Sequence, residues 1–180
     1  MDKIKRKNNK WCVITGAPSS GKTTILERLE KEGYKVYYEQ ARIYIDEEIK
    51  KGRIIKEIRK DELLFQQKIL DLKVDFEKNL DPDELVLIER GIPDSSAYMK
   101  MLNMDQDPSL KKALVSCSYK KVFLMELIKY EKDYARTESQ EDAMILDQLL
   151  EKSYTDLGIE VIRVPKMSID ARVKFVIDNL

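Results

Sequence analysis

One motif constrains this chain of 180 residues more than any other feature: Gly16-Ala17-Pro18-Ser19-Ser20-Gly21-Lys22-Thr23. It matches the pattern G-x-x-x-x-G-K-[ST] in full, and it lies between an apolar run, residues 11–15, and a helical pattern. The glycines let the backbone turn tightly, so that successive N–H groups point at a polyphosphate, and the following helix adds the positive end of its dipole. The sequence therefore predicts a P-loop that binds a nucleoside triphosphate. The strand and helix on either side disfavour an accidental glycine-rich turn.

The residue types within the P-loop predict individual contacts. We expect Lys22 to reach the β- and γ-phosphates and the Thr23 hydroxyl to bind magnesium. Lys22 is therefore a candidate catalytic residue. The residues predicted to hold the nucleotide are Gly16, Ala17, Pro18, Ser19, Ser20, Gly21, Lys22, Thr23 and Thr24.

Length and composition narrow the class of protein. With 43% hydrophobic residues, the chain is expected to form one domain, which we place at residues 10–180 after a disordered basic tail at 1–9. The 33 basic and 33 acidic residues balance, which gives no reason to expect nucleic acid or a membrane surface as a partner. No apolar run reaches the length of a membrane span. Composition leaves the oligomeric state open.

Two residue types limit the chemistry and the compartment. The chain has no histidine, which excludes Ser-His-Asp and His-Glu-x-x-His sites. A carboxylate is therefore the expected general base, with Lys, Tyr or Cys as less favoured alternatives. Phosphoryl transfer suits such a chain, because it depends mostly on positioning and electrostatics. Cys12 and Cys117 show neither metal-binding spacing nor a disulfide framework, so we expect a reducing compartment, the cytoplasm.

Apolar runs and helical patterns alternate along the chain. Strands are predicted at residues 11–15, 34–39, 85–88, 122–125 and 159–164. Helices are predicted at residues 22–31, 41–51, 56–79, 94–103, 107–115 and 137–157, and from 168 onward, with Asp94 and Thr137 interpreted as caps. Five strands that alternate with helices predict an α/β domain with a mainly parallel sheet.

A carboxylate and an arginine, Glu89 and Arg90, follow the third predicted strand. At the tip of a central parallel strand, Glu89 would face the P-loop and hold magnesium, directly or through water. The alternative is a helix-capping or solvated acid. Arg90 would bind oxygen atoms of an acceptor, or it would form a structural ion pair.

A second acidic and basic pair, Glu39 and Arg42, follows the second predicted strand, whose tip opens onto the same crevice. Glu39 would accept a proton from an acceptor hydroxyl during phosphoryl transfer, and Arg42 would orient the acceptor. A surface ion pair of little consequence is the alternative. On the long helix, Gln66 would read a base or sugar edge, although such amides more often belong to the helix surface.

The polar stretch after the fourth strand, about residues 129–140, is a candidate lid. By closing over the phosphates it would bring Arg136 or Lys132 to the developing charge, and Arg136 is therefore a candidate catalytic residue beside Lys22 and Glu39. A solvated charged loop is the alternative. After the fifth strand, residues 165–167 would touch a nucleobase.

Together these motifs resemble those of the P-loop domains related to ribosylnicotinamide kinase, which are often labelled as small AAA-type ATPase domains. The resemblance covers about residues 10–178 and is carried by residues 14–24, Glu39-Gln40-Ala41-Arg42, Phe65-Gln66 and Ile88-Glu89-Arg90-Gly91-Ile92-Pro93-Asp94. It implies a three-layer, nucleoside-kinase-like fold with a parallel five-stranded sheet in the order 2-3-1-4-5. It also implies a short lid, and ATP or GTP with Mg²⁺ as ligands.

The resemblance also assigns roles to individual positions. Lys22 and Thr23 match phosphate and magnesium contacts, and Glu89 matches the acid after the third strand. Glu39 matches the acceptor-side carboxylate of the related deoxynucleoside kinases. Many members carry Asp where this chain has Glu89, and the longer side chain would place a water molecule between the carboxylate and the metal.

Two functions follow as hypotheses. The first is a kinase that transfers the γ-phosphoryl group of ATP or GTP to a hydroxyl of a nucleoside-like small molecule. The second is a nucleotide-dependent regulatory module or slow NTPase with a protein or lipid partner, which a closed, apolar-filled crevice beside Glu39 would favour. A Ras-type GTPase is disfavoured because the chain has no Asn-Lys-x-Asp motif. A hexameric motor is disfavoured because there is no room for its helical lid domain.

Overall fold

The computed structural model describes residues 9–104, 107–127 and 140–180. The strands are β1 (Cys12–Thr15), β2 (Lys35–Tyr37), β3 (Val86–Glu89), β4 (Lys121–Met125) and β5 (Val161–Val164). The helices are α1 (Lys22–Lys31), α2 (Gln40–Lys50), α3 (Ile55–Ile58), α4 (Glu62–Lys78), α5 (Ile92–Met101), α6 (Pro108–Ser116), α7 (Gln140–Thr155) and α8 (Ile169–Asp178).

The five strands form one parallel sheet in the order β2-β3-β1-β4-β5. β1 lies in the centre, where Ile14 pairs with Glu89 of β3 on one side and with Phe123 of β4 on the other. The carboxyl ends of these three strands therefore meet at one edge of the sheet. The predicted fold class and strand order are confirmed.

Helices cover both faces of the sheet, because successive strand residues point to opposite sides. Val13, Ile88 and Val122 share one core cluster with residues of α4, α5, α6 and α7. Ile14 and Phe123 share another cluster with residues of α1 and α8. The result is the predicted three-layer arrangement, with strands β1 and β3 buried throughout.

The predicted helix at residues 56–79 is wrong in one respect, because the structure has two helices there. α3 ends at Ile58 and α4 begins at Glu62. The carboxylate of Asp61 accepts a hydrogen bond of 3.0 Å from the backbone N–H of Leu64 and so caps the second helix.

The start of α5 also differs from the prediction. Gly91 occupies the cap position and Pro93 lies in the first turn, where its missing N–H costs no helical hydrogen bond. Asp94, the predicted cap, lies inside the helix and is fully buried. Its carboxylate bonds to other parts of the chain instead, as described below.

Some predictions lie outside the described residues, namely most of the tail at 1–9 and of the lid at 129–140, with Lys132, Arg136 and the cap Thr137. Across the described ranges, no helix combines the length and the apolar character needed to cross a bilayer. Cys12 and Cys117 are both buried thiols.

Candidate active site

The P-loop connects β1 to α1 through backbone conformations that favour glycine. Gly16 has a φ of +146° and Gly21 a φ of +85°. A Cβ atom added to Gly16 would lie 2.6 Å from the carbonyl oxygen of Met125 and 2.7 Å from the Ser20 hydroxyl oxygen. The first glycine of the motif is therefore required both by its φ angle and by close packing against the end of β4.

Lys22 begins α1 and folds back over the loop. Its Nζ donates hydrogen bonds to the carbonyl oxygens of Gly16 at 3.0 Å and Ala17 at 3.1 Å, and the side chain is buried. Charged phosphate oxygens bind an ammonium group more strongly than neutral carbonyl oxygens do. This position is compatible with the predicted contact to the β- and γ-phosphates, which stays a prediction.

Thr23 and Glu89 meet where α1 faces the end of β3. The Thr23 hydroxyl donates a hydrogen bond of 3.1 Å to Oε1 of Glu89. Burial and the repulsion of Glu39 raise the pKa of Glu89, and the attraction of Lys22 opposes them. A divalent cation beside the Thr23 hydroxyl would reduce the repulsion between the carboxylates of Glu39 and Glu89.

The same residues fit Mg²⁺ by the chemistry of their oxygen atoms. Among the described residues, no group of three His, Cys, Asp or Glu side chains could hold a metal ion by itself. Mg²⁺ usually takes one or two protein oxygens and completes its shell with phosphate and water. Thr23 and Glu89 supply such a small set, so the metal would bind together with a nucleotide.

Glu39 immediately precedes α2 and contacts the arginine that follows β3. Arg90 Nε lies 3.0 Å from Glu39 Oε1. Burial acts to raise the pKa of Glu39, but the attraction of Arg90, Lys22 and other cations outweighs it, so the pKa is lowered. Glu39 is therefore an ionised carboxylate at neutral pH.

Arg90 is held on several sides. Besides its ion pair with Glu39, its Nη1 donates a hydrogen bond of 3.1 Å to Oδ1 of Asp94, and its guanidinium lies 5.2 Å from the centre of the Tyr98 ring. The side chain is only 4% exposed and has a left-handed backbone, with φ of +64°. Its clearest structural role is to orient Glu39. The predicted contact between Arg90 and an acceptor stays a prediction.

A pocket of about 380 Å³ joins the P-loop to Glu39. The predicted site residues that line it are Pro18, Ser19, Gly21, Lys22, Thr23, Thr24, Glu39, Arg42, Gln66, Glu89 and Arg90. The other predicted loop residues are Gly16, Ala17 and Ser20, which are not among the lining residues. Arg136 lies outside the described residues.

Eight further residues line the pocket, and the sequence analysis did not assign them to it: Ala41, Ile45, Arg59, Phe65, Ile69, Lys73, Ser95 and Tyr98. Phe65, Ile69 and Lys73 lie on α4 with Gln66, at spacings of three and four residues that place them on one face. One signal was available, because Lys73 follows Phe65 and Ile69 at four-residue spacing, where an apolar side chain is expected.

A buried hydrogen-bond network lies behind the end of the pocket that Glu39 and Arg90 line. Asp94 accepts hydrogen bonds from Thr15 at 2.5 Å and from the Tyr154 hydroxyl, in addition to Arg90. The Tyr154 hydroxyl in turn accepts from the backbone N–H of Gly91 at 3.2 Å. The turn that carries Arg90 is thus fixed by side chains from β1 and α7.

The network continues to a second buried tyrosine and an acid. The Tyr119 hydroxyl accepts from the backbone N–H of Ile92 at 2.9 Å and donates to Oε1 of Glu77 at 2.6 Å. Burial raises the pKa of Glu77 to about 7, against the Tyr119 hydrogen bond and the attraction of Lys73. A titratable group therefore supports the Arg90–Gly91 turn from the inside of the protein.

Arg172 of α8 connects three backbone segments around the P-loop. Its guanidinium donates to the carbonyl oxygens of Ser20 at 2.7 Å, Glu126 at 2.8 Å and Pro165 at 2.9 Å. These carbonyls belong to the P-loop and to the segments that follow β4 and β5. No sequence motif marks Arg172, because these three hydrogen bonds all go to backbone carbonyl oxygens, which any residue type can supply.

Comparison with known proteins gives one family and several solved structures of similar fold. A model of the AAA domain family matches residues 11–172. A comparison with curated proteins found no match. Among solved structures, NadR protein in complex with NR has a TM-score of 0.69 and 18% identity, covering 95% of this chain and 50% of that chain.

Two further structures extend the comparison. NadR protein in complex with NAD and AMP-PNP has a TM-score of 0.68 and 17% identity, covering 95% of this chain and 48% of that chain. Deoxyadenosine kinase from M. mycoides, with products dCMP and a flexible dCDP bound, has a TM-score of 0.64 and 17% identity, covering 94% of this chain and 97% of that chain. This chain thus spans about half the length of the NadR structures. The TM-scores show a common fold, that of P-loop nucleoside and nucleotide kinases.

Proposed function

The chain belongs to the AAA domain family, and we propose that this member is a kinase that transfers the γ-phosphoryl group of ATP or GTP to a hydroxyl of a small, nucleoside-like acceptor. Its predicted relation to the P-loop domains of ribosylnicotinamide kinase is confirmed. One observation carries the proposal: Lys22 and Thr23 of the P-loop line the same pocket as the ionised Glu39. A phosphate donor and a hydroxyl acceptor can therefore meet in one enclosure.

On the nucleotide side, the chain would bind and orient the triphosphate. Backbone N–H groups of the P-loop and the start of α1 would face the phosphates, and Lys22 would exchange the carbonyls of Gly16 and Ala17 for phosphate oxygens. Thr23 and Glu89 would hold Mg²⁺. The bound metal would neutralise charge on the transferring phosphoryl group.

On the acceptor side, Glu39 would act as the base. The acceptor oxygen forms a bond to the γ-phosphorus, the bond to the β-phosphate oxygen breaks, and the nucleoside diphosphate leaves. The acceptor's proton passes to a carboxylate oxygen of Glu39, which Arg90 keeps ionised and oriented.

Buried thiols at Cys12 and Cys117 agree with a reducing location, and we place the reaction in the cytoplasm.

A regulatory module without an acceptor would be favoured by a closed, apolar-filled crevice beside Glu39. The described residues instead leave a cavity there, with charged and amide groups such as Arg42 and Gln66 on its wall. This observation supports the kinase over the module.

A transfer assay tests the proposal. Purified protein is incubated with γ-labelled ATP or GTP, magnesium and a panel of nucleosides, nucleotides and hydroxy acids, beside Lys22→Ala and Glu39→Gln. We expect a labelled acceptor with the wild type and its loss in both variants. Nucleotide turnover without any labelled acceptor, unchanged in Glu39→Gln, would instead indicate an NTPase or a regulatory module.

A further inference from the structure

Lys73 is a buried ammonium group in the wall of the pocket. It lies on the inner face of α4 and is 3% exposed. Its Nζ donates to the carbonyl oxygen of Gly91 at 3.0 Å and to the Ser95 hydroxyl at 3.2 Å, and both partners are neutral. An ammonium has three N–H donors, so one donor direction is left by these two bonds.

No carboxylate compensates Lys73 at ion-pair distance within the described ranges. The carboxylates of Asp94, Glu39 and Glu77 act on it from farther away, and burial outweighs them, so the pKa of Lys73 is lowered. A buried charge is costly unless it is paired. Lys73 nevertheless lines the cavity from α4. An apolar side chain would be buried at this position at a lower cost in free energy.

The charged residues of the pocket wall are unequally divided. Two are acidic, Glu39 and Glu89, and five are basic: Lys22, Arg42, Arg59, Lys73 and Arg90. Lys22 and Glu89 belong to the nucleotide side. On the acceptor side, Glu39 is therefore the one acid in the described lining, and Arg90 already pairs with it.

We propose that the acceptor carries an anionic group, a phosphate or a carboxylate, which binds Lys73 while the reacting hydroxyl binds Glu39. This inference rests on the proposed kinase function and names the class of its substrate. The two residues line the same cavity, and the charge of each acts on the other. The Ser95 hydroxyl, beside Lys73 and also in the lining, supplies a second donor for the anionic group.

The same charge distribution argues against a cationic acceptor. Glu62 pairs with Arg59, and Glu39 and Asp94 pair with Arg90, whereas Lys73 has no carboxylate at ion-pair distance among the described residues. A pyridinium nucleoside would bring a further positive charge to the cavity that Lys73 lines. Like charges in a partly buried site repel strongly, because the effective dielectric constant is low. A neutral nucleoside would leave Lys73 without a counter-charge.

Binding and transfer are measured with one charge series of hydroxyl acceptors. The series contains neutral nucleosides, their 5′-monophosphates, hydroxy-carboxylates and a pyridinium nucleoside. Calorimetry with a non-hydrolysable triphosphate and magnesium gives the affinities, and γ-labelled ATP or GTP gives kcat and KM. The phosphate and carboxylate arms show which anionic group is recognised.

Lys73→Met removes the charge and keeps an unbranched side chain, and Lys68→Met on the exposed face of α4 is the matched control. We expect a member of one anionic arm to bind best. Lys73→Met should weaken it by about 10- to 100-fold, mainly in Kd and KM, and should change the neutral members little. Lys68→Met should behave as the wild type.

A second variant covers the case in which Lys73→Met fails to fold. Ser95→Asp places a carboxylate beside the Lys73 ammonium. This carboxylate should exclude the anionic acceptor, while Lys73 keeps a bonding partner on α5. Melting temperature and triphosphate affinity report the fold of both variants.

The outcomes separate the two proposals. Preferred binding of a neutral or pyridinium nucleoside, or equal losses for all acceptors in Lys73→Met, overturns the anionic acceptor and leaves the kinase in place. Lysine-dependent binding of an anionic compound that is never phosphorylated supports the anionic site and overturns the kinase. If no anionic compound binds to the wild type, the anionic site is overturned whatever the transfer assay shows.

Discussion

The two halves of the pocket are built in different ways. The nucleotide half consists mainly of one segment, Gly16 to Thr24, with Glu89 from the neighbouring strand. The acceptor half takes Glu39 and Arg42 from the start of α2, Lys73 from α4 and Ser95 from α5. In the proposed kinase, phosphate recognition would rely on backbone N–H groups that a short motif arranges locally, whereas acceptor recognition would rely on side chains that tertiary packing brings together.

The halves also differ in how far a disturbance should spread. P-loop glycines act through their own φ angles and immediate neighbours. On the acceptor side, Arg90, Asp94, Tyr154 and Lys73 share hydrogen bonds around the Arg90–Gly91 turn. Residues in one network are coupled, so a change at one should affect the others.

The largest effect is expected for Glu39→Gln. Because the amide cannot take the acceptor's proton, kcat should fall by roughly 10³-fold, about 4 kcal/mol of transition-state stabilisation, with triphosphate affinity nearly unchanged. Glu47→Gln, at an exposed position of α2, is the control. Steady-state kinetics and calorimetry measure the two quantities. If Glu39→Gln also weakened triphosphate binding, the two halves of the pocket would not act independently.

The next largest effect is expected for Gly16→Ala, which should weaken nucleotide binding. The added Cβ would meet Met125 O and Ser20 Oγ below 3.0 Å, at a φ angle unfavourable to alanine. We expect triphosphate affinity to fall by roughly 100-fold, about 3 kcal/mol. Gly33→Ala is the matched control, since Gly33 also has a positive φ but no atom within 4 Å of the added Cβ. Equal losses of affinity in both variants would refute the steric explanation.

Gly91→Ala should disturb the acceptor half of the pocket and lower the stability of the fold. Its Cβ would lie 2.7 Å from the Tyr119 hydroxyl and 3.0 Å from that of Tyr154. Displacing these hydroxyls should lower the free energy of unfolding by about 2 kcal/mol and raise the acceptor KM, with the triphosphate Kd changing less. Denaturant titration and kinetics would show it. An effect confined to nucleotide binding would contradict the assignment of this turn to the acceptor half.

The smallest effect is a pH dependence from Glu77. Its pKa is raised to about 7 when folded, well above the value of an unfolded glutamate, so it stabilises the fold in its protonated form. That stability is present below the unfolded pKa and is lost as pH rises through about 7. Between about pH 6 and about pH 8, the wild type should lose about 1 kcal/mol more than Glu77→Gln. Denaturant titrations at both values measure this, and parallel curves would contradict it.

Much of the fold was predictable because its rules act over short distances. Apolar runs of four or five residues mark strands buried on both faces, and β1 and β3 follow that rule. The helix breaks were harder, because Asp61 and Gly91 act as caps at positions that a helical spacing pattern alone does not distinguish. The pattern therefore joined α3 to α4 and started α5 too late.

In the pocket, the P-loop and the acids Glu39 and Glu89 at the strand tips were predictable from the amino-acid sequence. Parallel strands bring their carboxyl ends to one edge, and a phosphate-binding turn is a local backbone structure. The partners of these groups became known only from the packing of the folded chain. Arg90 pairs with Glu39 and Asp94, Lys73 faces the cavity, and Arg172 binds the P-loop carbonyl of Ser20. Such contacts join residues distant in the chain, and their partners depend on how the helices pack, which no local pattern encodes.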